Sequence, residues 1–225
     1  RAWQKRSAPQ EKDYAISLLV DLSGSMKNPS TKIQETFKAA VVLCEVLNKL
    51  SIKNEILGFN DRLYEFKSFD TGMSDEVREA MGAMLKEVYI FEEEERDEKG
   101  SPKRDSKGRI VMKQARAAYN DDGWALGQAS ARLARQDAGE KFLIPLSDGQ
   151  PVPSGAHRGS EFDLKRVVGE IMTNTDQKLV GLGIGPDTKH VEEYYPNSLA
   201  DVAVAEMAEK LADLLREVIA NYQSF

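Results

Sequence analysis

The sequence encodes a doubly wound α/β domain in which a mostly parallel sheet carries helices on both faces. Three observations lead there. Short apolar runs without alternation recur along the chain, stretches of helical period separate them, and two of the runs end in polar loops that open on an aspartate. A strand covered on both faces reads as a continuous apolar run, and strands alternating with helices build a parallel sheet.

The first run is YAISLLV, residues 14–20. From Lys32 the period changes: Ile33, Phe37, Ala40, Val41, Cys44, Leu47 and Leu50 recur at steps of three and four, which predicts a helix. KNEILGF (53–59) is a second strand, and RLYEF (62–66) alternates as a short edge strand does. SDEVREAMGAMLKEVYIF then reads as one amphipathic helix with Ser74 or Asp75 as its N-cap. Residues 92–109, EEEERDEKGSPKRDSKGR, are nearly devoid of apolar side chains and read as a solvated or disordered insertion. Helix resumes through KQARAAYNDDGWALGQASARLAR, broken at Asn120–Gly123. EKFLIPLSDG (140–149) is a third strong strand, EFDLKRVVGEIMTNT a helix, and KLVGLGIG (178–185) a fourth buried strand. A short strand and a long terminal helix close the chain, and no internal repeat organises it. Residues 1–12 read as the tail of a longer chain, and 13–225 as the domain.

Composition narrows the function. A length of 225 residues supports one substantial core, and a net charge of −6 advertises no basic surface for nucleic acid. The single cysteine, Cys44, excludes an internal disulfide framework and a cysteine-based zinc site. His157 and His190 stand far apart, without an HExxH motif. No run approaches the roughly 18 apolar residues of a membrane span, and the first residues form no signal peptide. The expected setting is the cytoplasm.

The chemistry concentrates at strand ends. In a doubly wound sheet, ligands sit beyond the carboxyl ends of the strands. Asp21 stands at one such end and Asp148 at another, so both carboxylates enter one crevice if their strands are neighbours. There they would repel and raise one pKa unless a cation shares them. Asp21, Ser23 and Ser25 alternate, so an extended loop places them on one side, with Gly24 permitting the curve. Hydroxyl and carboxylate oxygens suit Mg²⁺ or Mn²⁺. Standing alone, Asp-x-Ser-Gly-Ser is equally a solvated turn capping the next helix. Oxygen side chains on three separated loops weaken that reading.

These motifs resemble the von Willebrand factor A domain and its metal-ion-dependent adhesion site. Asp21-Leu22-Ser23-Gly24-Ser25 matches the family's first loop, and Leu146-Ser147-Asp148-Gly149 is similar to its last. In the second loop the family's threonine falls at Asn120, three residues before Gly123, with Asp122 as a second candidate. If Asp122 ligated directly, three carboxylates would leave a dication site at net −1, less attractive to an acidic partner residue. The strings EILGF, NDDGWAL, PLSDGQPV and GLGIGPDTKHVEEYYPNS further resemble the A domain of the cobaltochelatase T subunit. That resemblance implies a non-catalytic subunit in cobalamin biosynthesis, docking through its metal site to a AAA+ ATPase and a large chelatase subunit that inserts cobalt into a corrin ring.

Two rivals are weighed against it. One is the A-domain companion of another MoxR-type ATPase, of the nitric oxide reductase activation type. The other is a stand-alone hydrolase or phosphotransferase using the aspartate pair, which requires a lysine that the sequence does not single out. GLGIGPDTK fails the Walker spacing, because Pro186 occupies the second glycine's place. Tyr194 and Tyr195 are candidates for a partner surface, although aromatics before a proline more often close a loop over the core. Trp124 is a third candidate for the partner surface at the rim of the crevice, although its helical spacing favours packing beneath it, and His190 is expected on the surface.

Overall fold

A computed structural model describes residues 13–27, 31–87, 90–117, 119–154, 157–206, 209–210 and 213. Its elements are β1 (Tyr14–Asp21), α1 (Thr31–Lys49), β2 (Lys53–Phe59), β3 (Leu63–Lys67), α2 (Asp75–Gly82), α3 (Met84–Glu87), β4 (Ile90–Glu94), β5 (Met112–Ala117), α4 (Asp122–Ala134), β6 (Glu140–Ser147), α5 (Leu164–Asn174), β7 (Gln177–Ile184), α6 (Val191–Tyr194) and β8 (Asn197–Val202). The main sheet runs β3-β2-β1-β6-β7-β8. Every pairing is parallel except the antiparallel edge strand β3. The order reverses between β1 and β6, where a doubly wound sheet opens its crevice.

The four apolar runs become the four central strands because both their faces are covered. On one face, Ile16, Leu18 and Val20 of β1 meet Ile33, Ala40, Leu43, Cys44 and Leu47 of α1. On the other, Ala15 and Leu19 meet Ala125, Leu126, Ala129 and Leu133 of α4 and Val167, Val168 and Ile171 of α5. Burial pushes the Cys44 thiol up to about 12, so it behaves as a small core hydrophobe. One carboxylate lies inside the layers. Glu55 accepts from Ser17 Oγ at 2.7 Å and from Arg132 Nε at 2.8 Å, which answers the cost of burying it. Pro145 sits within the central strand β6, and the pairing of β6 with β7 skips residues 144 and 145 there.

Several elements depart from the sequence reading. Ser74 does cap α2, accepting from Val77 N, but that helix ends at Gly82 and α3 at Glu87, and Ile90 begins a strand. Residues 112–117 are strand β5, not helix; α4 starts only at Asp122. The charged stretch is solvent-exposed as expected and it is folded. β4 and β5 form a two-stranded antiparallel ribbon. Its tip holds two turns of one pattern, Arg96-Asp97-Glu98-Lys99-Gly100 and Arg104-Asp105-Ser106-Lys107-Gly108. In each, the aspartate accepts backbone N–H bonds from two and four residues on, glycine takes a positive φ, and the arginine donates to the glycine carbonyl. A local eight-residue repeat therefore exists where none was expected. Most of the expected terminal helix lies outside the described residues. Among the described residues no helix is long and apolar enough to cross a membrane.

Candidate metal centre

Asp21 ends β1 and Asp148 follows β6, and these strands are adjacent and parallel, with Val20 opposite Leu146. The two carboxylates therefore enter the same crevice. Asp21 is wholly buried and is held by three donors. Ser23 N donates to Oδ1 at 2.7 Å, and Asn120 Nδ2 and Ser147 Oγ donate to Oδ2 at 2.9 and 3.1 Å. Ser23 and Ser25 hydroxyls lie 2.9 Å apart, and Ser25 Oγ donates to Asp148 Oδ1 at 2.6 Å. The first loop is not extended as expected. It closes as a 3-10 turn, Gly24–Lys27, with Met26 N bonded to Ser23 O, and the two hydroxyls converge from that turn.

The second loop reaches the same place through a close backbone approach. A Cβ on Gly123 would sit 1.9 Å from the Phe162 carbonyl oxygen, so only glycine lets the start of α4 pack against that segment. Asn120 is locked by an antiparallel bridge to Val152 while its side chain bonds Asp21. Asp122, the first residue of α4, is buried.

Electrostatics show the charge imbalance of the crevice. Burial, and then repulsion from Asp148, push Asp21 up to about 7 against its hydrogen bonds. Burial and the proximity of Asp21, then Asp121 and Asp148, hold Asp122 well above the ordinary carboxylate range. Asn120 Oδ1 and Asp122 Oδ2 are buried without a hydrogen-bond partner. Buried unpartnered acceptors beside crowded carboxylates, with serine hydroxyls in reach, fit a hard dication. Among the described residues no three carboxylate, imidazole or thiolate groups form a metal cluster, so serine and asparagine oxygens must complete any donor set.

Two residues at or beside the centre, Lys32 and Asp121, were not singled out by the sequence reading, and a third, His190, was expected elsewhere. Lys32, in the first turn of α1, donates to Asp148 Oδ2 at 2.6 Å and so places an internal cation beside the crevice. It supplies the lysine that an aspartate-nucleophile enzyme requires. Against that chemistry, Lys32 pairs with Asp148, and Asp21 is 0 % exposed with three hydrogen bonds holding it in place. Asp121 accepts from Ser154 N and pairs with His157 Nδ1 at 2.5 Å. Ser154 Oγ lies near the same ring nitrogen, so the pair does not align a hydroxyl on Nε2 as a serine triad does. His190 is buried, contrary to expectation. Its pKa is lowered, chiefly by burial, while Asp148 and Glu193 act in the opposite sense.

The aromatic candidates separate. Tyr195 is 5 % exposed and packs in the core layer with α4 and α5, where β7 makes room for it: a Cβ on Gly181 would lie 2.3 Å from its ring. It is unavailable to a partner. Tyr194 is half-buried beside the centre, its hydroxyl 3.1 Å from Gln150 Oε1. Trp124 is also half-buried, packed as expected against the core but stacked on His157 at 4.2 Å.

Comparison with known proteins defines the class first. The fold is that of von Willebrand factor A domains. It aligns with a von Willebrand factor type A protein from Catenulispora acidiphila over 90 % of this chain and 42 % of that one, with 16 % identity and a TM-score of 0.56. It also aligns with the vWF domain of the pili tip protein Mfa5 from Porphyromonas gingivalis over 93 % and 96 %, with 7 % identity and a TM-score of 0.57. Within that class, the model of the cobalamin biosynthesis protein CobT VWA domain matches residues 2–221, and the chain belongs to that family. A curated relative, the uncharacterized protein YojO of Bacillus subtilis, is 27 % identical over 166 residues, 74 % of this chain. The match covers 23 % of that relative's length.

Proposed function

We propose that the chain is a divalent-cation-dependent docking module that couples a AAA+ ATPase to a large chelatase subunit inserting cobalt into a corrin precursor. Family membership supports the pathway, and one observation supports the mode of action. Residues 123 and 99 positions apart in sequence are joined at the crevice, Ser25 to Asp148 at 2.6 Å and Asn120 to Asp21 at 2.9 Å. Mg²⁺ or Mn²⁺ would be held by Ser23, Ser25, Asn120 and Asp148. The ion would offer an electrophilic position to an oxygen of the partner. Asp21 acts from behind, fixing Ser23, Asn120 and Ser147 through its two oxygens. In this reading the module catalyses nothing; it converts the partner's movement into a pull on the chelatase.

The test is retention of the ATPase and the large subunit from a native extract on the immobilised chain. Mg²⁺-dependent retention, lost with EDTA and lost in Asp21→Ala, is expected. Retention unaffected by EDTA would refute the metal-dependent reading, and recovery of a MoxR-type ATPase without a tetrapyrrole-binding subunit would redirect the client.

A further inference from the structure

A cavity of about 210 Å³ opens beside the metal centre, walled by Asp121, Asp122, Trp124, His157, Phe162 and Tyr194. It is smaller than the roughly 300 Å³ at which small-molecule pockets begin, a size suited to one side chain. We propose that it receives an arginine side chain of the docking partner, which rests on the docking reading above and adds the chemistry of recognition.

The acidic groups of the wall favour an occupant that donates. Asp121 is already satisfied by Ser154 N and His157 Nδ1. Asp122 is 3 % exposed, and its Oδ2 is buried with no partner. Asn120 also lines the cavity, but its Oδ1 belongs to the metal centre described above. Asp163 at the rim adds a third carboxylate, although its Oδ1 already caps α5 by accepting from Arg166 N. A negatively charged occupant would be repelled by these acidic groups. Arginine carries five donors and no acceptor, and it stays charged when desolvated.

The remaining walls are aromatic. Trp124 and His157 stack nearly parallel, and Phe162 meets the His157 ring edge-on at 5.5 Å. A planar guanidinium stacks on such rings better than an ammonium does. Tyr194 already attracts a cation from this chain, Lys165 Nζ at 5.3 Å from its ring centre. A second metal ion is a poorer occupant, since with Asn120 given to the metal centre, Asp122 Oδ2 alone falls far short of the roughly six oxygens that a hard cation requires.

The test titrates the 225-residue chain, with EDTA throughout, against acetyl-Gly-Arg-Gly-amide and its lysine and citrulline counterparts, following the indole N–H signals. The arginine peptide is expected to shift saturably the indole signal that Trp124→Leu removes. Lysine should bind more weakly, and uncharged citrulline should produce no shift. Asp122→Asn and Trp124→Leu should each weaken binding about fivefold or more. Equal shifts with citrulline, no shift with arginine, or undiminished binding in both variants with native circular dichroism would overturn the proposal. Because metal is excluded, a failure of Mg²⁺-dependent retention leaves this result standing. Intact retention with no arginine binding would remove the pocket alone.

Discussion

Lys32 should compete with the metal, and replacing it should tighten metal binding. Its ammonium lies 2.6 Å from Asp148 Oδ2, with the Asp148 side chain wholly buried and that of Lys32 15 % exposed. A charge-assisted hydrogen bond in such a setting contributes about 1.5–3 kcal/mol. An incoming dication must draw on the same carboxylate, whose other oxygen already accepts from Ser25. Lys32→Met removes that competition along with the direct repulsion between two cations. Mg²⁺ affinity should therefore rise about 10- to 100-fold, at 1.4 kcal/mol per decade. Calorimetric titration at fixed pH and ionic strength reads this directly, with Lys32→Arg as a variant that keeps the charge and should gain far less. Unchanged or weaker binding in Lys32→Met would refute the reasoning and make Lys32 a support of the site instead of a rival.

A pair of glycine substitutions, a core truncation and a pH dependence, three tests in all, probe other links. Gly123→Ala, whose Cβ would meet the Phe162 carbonyl at 1.9 Å, should lower unfolding free energy in urea by at least ~3 kcal/mol. Gly169→Ala, with nothing within 4 Å, should be neutral or stabilising by up to ~1 kcal/mol. Leu126→Ala should cost about 2–5 kcal/mol, because Leu126 is 0 % exposed between α4 and the sheet; a loss below ~1 kcal/mol would contradict that packing. The third concerns pH. Asp21 is raised in the folded chain from 3.8 to about 7, so the metal-free fold binds more protons than the unfolded chain between those values. Stability should therefore fall as pH rises through that window, and Asp21→Asn should lack this component. Melting curves of both chains in EDTA, from about pH 5 to pH 8, would show the slopes diverging; parallel slopes would contradict the raised pKa.

What was legible in the sequence follows from locality. The central strands are buried on both faces, so their apolar runs stand out, and the aspartates ending two of them mark the crevice without any structure. Their adjacency was conditional on strand order, which depends on contacts far apart in sequence. KQARAA was misread because a short mixed segment carries no decisive period, and its partner strand lies beyond the charged turns. Lys32 escaped notice because nothing local distinguishes it from another lysine at a helix start; only the approach of the Asp148 loop gives it a role. His190 was misplaced for the same reason, and the burial of Tyr195, the commoner outcome for an aromatic before a proline, is decided by Gly181 on β7. The signal available for Lys32 was its place at the start of the first helix after the Asp-x-Ser-Gly-Ser loop, where a side chain can turn back to the strand end.

The central claim is that side chains from three loops form one divalent-cation site at the β1–β6 crevice. Counting bound Mn²⁺ by electron paramagnetic resonance tests it most directly. One ion per chain should bind, and Asp148→Ala should abolish binding while far-ultraviolet circular dichroism stays unchanged. Absence of any bound ion in the parent chain, or an undiminished count in Asp148→Ala, would contradict it.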